Sequence, residues 1–183
     1  LVGSEMCIRD RTWTECRDLP EGTRVIADRV NPKKFYAMDL FEGKLFISAD
    51  GAETFAVQPL DLPGGLPKQG GWRGDSRGGQ DRLYTVPQRE GELWLAAFDG
   101  LYRSTDTGKT FSKLDGVTEI HAFGFGKSAP GKSYPALYLI GIIDEQRGFF
   151  RSDDMDGSWV RINDDRHQWG LVLHITGDPK QVG

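Results

Sequence analysis

Short apolar and aromatic runs recur along the chain, each closed by glycine, aspartate or proline. No long stretch places apolar residues at the i, i+3, i+4 spacing of a helix. The pattern predicts strands at 25–28, 34–39, 44–48 and 55–58. It repeats at 82–86, 93–98, 101–104 and 111–114, and again at 119–125, 136–142, 149–152 and 159–162. A further strand at 171–176 is expected to open another group. Five Trp, five Tyr and ten Phe favour strands. Glycine, at 24 of 183 residues, is about twice its usual share and favours many turns.

Three segments inside this pattern align: GKLFISADGAETF from residue 43, GLYRSTDTGKTF from residue 100 and GFFRSDDMDGSW from residue 148. Each has a glycine, an apolar-aromatic strand, Ser-x-Asp, a Gly-bearing turn, Thr or Ser, and an aromatic. The serines Ser48, Ser104 and Ser152 recur about every 50 residues, the period of propeller blades. Short polar side chains bond nearby backbone N–H groups and shape such turns, the expected task of Asp50, Asp106 and Asp154. Gly51, Gly108 and Gly157 are expected to supply the positive-φ positions. Phe55, Phe111 and Trp159 are expected to lie between blades. The pattern matches the Asp-box, S-x-D-x-G-x-T-W, and Thr12 with Trp13 looks like the tail of a fourth. The fold class is therefore all-β: a β-propeller of four-stranded antiparallel blades, with about three blades and part of another present. Such a set leaves open strand edges, so the chain is expected to be part of a larger propeller protein.

A net charge of −4 with mixed signs gives no reason to expect nucleic acid or an anionic membrane surface as partner. No run approaches the roughly 18 apolar residues of a membrane span. The opening is unlike the rest: Glu5-Met-Cys-Ile-Arg-Asp-Arg11 resembles the translation of a transposase adaptor used in library preparation. Residues 1–11 are set aside on that ground, leaving 12–183 as the partial propeller. Cys16 is then the one cysteine, with no disulfide or CxxC signal.

Several segments go beyond a generic Asp-box. DRVNPKKFYAMD from residue 28 resembles a stretch of the glycoside hydrolase family 74 xyloglucanases. So do PQREGELWLA from residue 87, FGFGKSAPGKSYPALYLIG from residue 123, and RINDDRHQWG from residue 161. They follow the family's order, near the C-terminal end of its second propeller. The resemblance implies two seven-bladed propellers with a cleft between them, a secreted or periplasmic location, and inverting hydrolysis of β-1,4 linkages in xyloglucan. One aspartate would act as acid and another as base, separated widely enough to admit a water. Both lie upstream of the matched region, so no residue here is assigned as catalytic. The implied partners are a xyloglucan-like β-glucan, the rest of this propeller and the N-terminal propeller, with no cofactor. The Gly-rich stretch 63–80 is longer than the family's. The Asp-box alone leaves open a non-catalytic propeller used for protein or glycan binding, of sortilin or photosystem-assembly type. A sialidase would need an arginine triad and a tyrosine nucleophile, for which no motif is seen.

Propeller topology puts box turns on one face and the blade-to-blade connections on the other. Candidates for substrate contact therefore come from 59–81, 114–118 and 163–170, with the turns 39–43, 98–100 and 143–148. Trp72 and Trp169 suit the apolar C–H face of a sugar, or pack against a neighbouring blade or loop. His167 and Gln168 suit sugar hydroxyls, or a structural hydrogen bond. Asp164 and Asp165 are expected to cap the loop's backbone N–H groups. Asp144, Glu145 and Arg147 read as a solvated turn. Metal is not expected: His121, His167 and His174 show no ligand spacing, and Asp153, Asp154 and Asp156 lack a calcium-loop pattern.

Overall fold

The computed structural model describes residues 16–66, 81–155, 157–167 and 172–182. Among them, twelve strands form three antiparallel sheets, each of four consecutive strands. Blade one is β1 (Val25–Ala27), β2 (Phe35–Asp39), β3 (Lys44–Ser48) and β4 (Ala56–Pro59). Blade two is β5 (Arg82–Thr85), β6 (Leu93–Ala97), β7 (Gly100–Ser104) and β8 (Ser112–Lys113). Blade three is β9 (Val117–Gly126), β10 (Ala136–Ile143), β11 (Gln146–Ser152) and β12 (Val160–Arg161). The expected grouping into blades is observed. Thr12, Trp13 and residues 1–11 lie outside the described residues.

The middle strands read as near-continuous apolar runs because both faces of a blade are covered. Every residue of β6 is buried. One face of blade two packs against blade one through Tyr36, Leu45, Leu83, Leu93, Leu95, Tyr102 and Phe111. Its other face meets blade three through Trp94, Leu101, Ile120, Phe123, Leu137 and Phe150. Phe123 stacks on Trp94 with ring centroids 5.6 Å apart, and Tyr84 and Phe125 meet Phe123 edge-on at 5.3 and 5.2 Å. Box aromatics behave as expected: Phe111 and Trp159 sit in the inter-blade seams. Phe55 packs with Phe46, Val25 and Leu19 on the remaining face of blade one.

The three boxes share one hydrogen-bond plan. Ser48 Oγ donates to Asp50 Oδ1 at 2.7 Å and accepts from Ala52 N at 2.9 Å. Asp50 also accepts from Thr54 N at 3.1 Å and Thr54 Oγ1 at 2.5 Å. The serine-to-aspartate bond and the two bonds that the aspartate accepts recur for Ser104, Asp106 and Thr110, and for Ser152, Asp154 and Ser158. Positive φ falls on Gly51 and Ala52 in the first box and on Thr107 and Gly108 in the second. In the third box it falls on Met155 (φ 76), and Gly157 is not among the positive-φ residues. The expectation for Gly157 is therefore corrected. Counted from the box serine, Gly157 stands one place later than Gly108, and its N donates to Asp154 O at 3.4 Å.

Residues 172–176 are not a strand, a second correction. The segment runs beside the end of β9 through isolated bonds, Gly177 N to Phe125 O at 3.1 Å and Lys127 N to Asp178 O at 2.9 Å. These do not alternate along the chain as a ladder requires. The approach is close: a Cβ on Gly126 would lie 2.9 Å from Gly177 Cα. Glycine at both positions is what lets the two backbones touch.

Candidate functional site

The hairpin registers fix two faces. Box turns share their face with the β1–β2 type loops: Gly51 N donates to Lys33 O at 2.9 Å, and Thr107 N to Gly91 O at 3.0 Å. Turns β2–β3, β6–β7 and β10–β11 lie at the other ends of the strands, with the blade-to-blade connections. There Leu60 N bonds Gly43 O at 2.8 Å and Asp144 N bonds Gly116 O at 3.0 Å.

The box aspartates cannot serve as acids on this geometry. A side-chain hydrogen bond from Thr54 leads the causes that hold Asp50 well below the usual carboxylate range, and one from Ser158 does the same for Asp154. Asp106 is lowered to about 2, chiefly by the backbone N–H of Thr110. A general acid needs the opposite shift. Because the folded pKa is the lower one, the box contributes stability that is present above about pH 4 and is lost as pH falls towards 2. Thermal unfolding of the chain should show its midpoint dropping across that window, and Asp106→Asn should flatten the drop. An equal drop in the variant would remove Asp106 as its source.

On the opposite face the loop after β12 is ordered by its own side chains. Asn163 Oδ1 accepts from Phe149 N at 2.8 Å and Arg161 Nε at 3.3 Å. Arg161 Nη2 donates to Asp165 at 2.8 Å. Asp164 Oδ1 accepts from Arg166 N at 2.9 Å and His167 N at 2.8 Å, and lies 2.7 Å from His167 Nδ1. That bond to His167 is the leading cause of the lowered Asp164 pKa. The capping role expected for Asp164 is observed, while Asp165 pairs with a guanidinium. The contact also orients the imidazole. With Nδ1 held by a carboxylate, a neutral His167 carries its proton there and presents Nε2 as an acceptor. The ring is 68% exposed, so it can meet a ligand. Trp169, Gln168 and Trp72 lie outside the described residues.

Sequence spacing did not reveal a second cluster on this face. Glu119 Oε1 lies 2.7 Å from His121 Nε2 and 3.0 Å from Arg147 Nη2, and Arg147 Nη1 lies 3.0 Å from the same His121 nitrogen. The Phe98 ring meets His121 edge-on at 6.3 Å. Glu119 and His121 are two apart on β9, and β11 brings Arg147 across the hairpin. Arg147, read as part of a solvated turn, is exposed but paired. The two-residue spacing of Glu119 and His121 on a strand was the available signal. Among the described residues no three His, Cys, Asp or Glu side chains converge on a common point at metal-binding range.

No family model matches the chain. Individual proteins do. A xyloglucanase of Paenibacillus sp. is 44% identical over 178 residues, covering 94% of this chain and 16% of that protein. Xyloglucanase Xgh74A of Acetivibrio thermocellus is 47% identical over 174 residues, covering 94% of this chain and 19% of that protein. The crystal structure of the family 74 xyloglucanase from Xanthomonas campestris superposes with a TM-score of 0.73 at 33% identity, over 94% of this chain and 23% of that one. The chain belongs to glycoside hydrolase family 74. It spans less than a quarter of the length of each of these family 74 relatives. Among the described residues, no helix is long and apolar enough to cross a membrane.

The hydrogen bonds give the DRVNP stretch a physical meaning. Asp28 is buried and accepts from Val30 N, Asn31 N and Tyr36 Oη within blade one, at 2.8, 2.9 and 3.0 Å. It also accepts from Gly91 N of blade two at 2.9 Å. Burial pushes its carboxyl up, but these bonds together prevail and leave the pKa lowered. Lys34 and Asn31 both reach Glu90, at 2.7 and 3.0 Å. This stretch joins two blades on the box face.

Proposed function

We propose that this chain forms part of one wall of the glycan cleft in a secreted, inverting family 74 hydrolase acting on xyloglucan or a related β-1,4-glucan. The observation that carries the reading is 44–47% identity to two xyloglucanases across 94% of the chain. The acid and base come from outside this segment. What the segment supplies is binding: His167, held by Asp164, accepts a sugar hydroxyl at Nε2. Gln168 bonds hydroxyls beside it, while Trp169 and Trp72 stack on pyranose faces. The partners are the polysaccharide and the remaining blades of both propellers.

A binding role without a chemical one makes a kinetic signature. In the parent enzyme, His167→Ala should raise KM for xyloglucan about fivefold, the worth of one hydrogen bond near 1 kcal/mol, with kcat unchanged. A fall in kcat at constant KM would instead place His167 in the chemistry. A parent protein that leaves xyloglucan and other β-1,4-glucans intact would end the hydrolase reading itself.

A further inference from the structure

The seam between blades two and three opens on its outer flank into a groove of about 350 Å³. Its lining is mixed. Trp159 and Phe150 form the apolar side, with Arg161 and Gln146, while Asp115 and Asp144 stand at the opposite-face end. Three segments far apart in sequence meet here: the β8–β9 connection, the β10–β11 turn, and the chain from the third box into β12.

We propose that this groove is a further glycan-binding site, built separately from the His167 loop, that takes a pyranose unit of the same β-glucan. The inference rests on the glycan reading above and goes beyond it. A pyranose offers an apolar C–H face and a rim of hydroxyls. Trp159 supplies the matching ring surface, packed on the seam on one side and partly exposed. Arg161 and Gln146 donate; Asp115, Asp144 and the Gln146 carbonyl accept. A groove of this volume is at the lower end for small-ligand sites and suits about one or two sugar units, not a long glucan chain.

The lining is held in place by bonds outside the groove's contents. Asp144 N is fixed on Gly116 O at 3.0 Å. A Cβ on Gly116 would lie 2.6 Å from Asp144 Oδ1, so this carboxylate packs against a glycine. Arg161 is positioned by Asn163 and Asp165 at 3.3 and 2.8 Å. The Asp144–Glu145 turn has φ 47 and 65, where Asn-Gly is the relaxed choice. Asp144 therefore stands at the groove's end where the backbone geometry favours glycine.

A second contact on one polymer raises avidity without altering the chemistry. The test is binding of xyloglucan oligosaccharides to the full chain by calorimetry, comparing Trp159→Ala, Gln146→Ala, Asp115→Asn and His167→Ala. Trp159→Ala should weaken binding about tenfold, and each polar variant several-fold. Trp159 also packs against the core, so near-ultraviolet circular dichroism checks its fold, and the exposed Gln146 and Asp115 variants decide if it unfolds. Unchanged binding in the two polar variants overturns the groove. Weakening by His167→Ala alone also overturns the groove while sparing the cleft reading. Weakening by the groove variants alone supports the groove and removes His167 from binding. An unsubstituted chain that binds no xyloglucan oligosaccharide overturns both.

Discussion

Glu92→Ala is expected to destabilise the chain by about 3–5 kcal/mol, the usual result of removing one partner from a buried ion pair. Glu92 is 5% exposed, immediately before blade two's second strand. Its Oε1 accepts from Arg103 Nε at 2.7 Å and from the Tyr134 hydroxyl. Tyr134 Oη in turn accepts from Trp94 Nε1 at 2.8 Å, and the Arg89 guanidinium lies 4.8 Å over its ring. One carboxylate thus anchors a tyrosine from the β9–β10 loop of blade three onto blade two. Alanine would leave the Arg103 charge and the Tyr134 hydroxyl without their acceptor in the seam. Glu92→Gln keeps an acceptor at the same place and should cost roughly 1–2 kcal/mol. The midpoint of urea unfolding measures both. A Glu92→Ala loss no larger than that of Glu92→Gln would mean the charge is hydrated and the brace is not a stability element. Against a typical total of about 5–15 kcal/mol, the larger loss would put an isolated set of blades near its limit.

Local features were legible in the sequence and juxtapositions were not. Strand positions followed from apolar runs and turn residues, and the boxes from serine and aspartate spacing, because both are set within a few residues. The shift of glycine in the third box escaped for the opposite reason: its effect depends on which position goes left-handed, and there it is Met155. The run 171–176 had strand composition, but a strand exists only with a ladder partner, and 172–182 make isolated bonds to β9 instead. Asp28 and Glu92 read as polar motif residues, since burial of a charge shows only once two blades are packed. Glu119, His121 and Arg147 span 28 residues and meet through β10. His167 was identified by its residue type on the predicted face, and the bond from Asp164 that orients it follows from the loop's own turn.

The conspicuous acidic stretch 151–165 divides by face. Asp154 is saturated with donors in a box and is held as an anion, which suits scaffold and excludes general acid chemistry. Asp164 and Asp165 are on the opposite face, yet each is committed to a cation or to backbone N–H groups. Carboxylate density here measures how many turns need acceptors. The His167 ring stands exposed beside them, as do flank residues around Trp159. The proposed glycan recognition therefore falls to side chains that the acidic turns orient, not to the acids that first draw notice.

Asp28→Ala should cost about 2–4 kcal/mol, because two buried donors lose one acceptor at once. Tyr36 is fully buried, and its hydroxyl meets Asp28 Oδ2, the same oxygen that receives Gly91 N from blade two. Burial first, and then the Asp28 carboxylate, pushes the Tyr36 phenol well above its usual range, so the hydroxyl stays a donor at all working pH. Removing both partners separates the two parts of the loss. Tyr36→Phe alone should cost about 1 kcal/mol, and in the Asp28→Ala background it should cost almost nothing. Asp28 has a lowered folded pKa, so its contribution holds above about pH 4 and is lost as pH falls below that. The difference in unfolding midpoint between the chain and Asp28→Ala should therefore shrink on acidification from pH 6 to pH 3. A difference independent of pH would show that Asp28 acts through packing, and the blade-one to blade-two joint would then have to rest on the apolar seam of Tyr36, Leu83 and Leu95 alone.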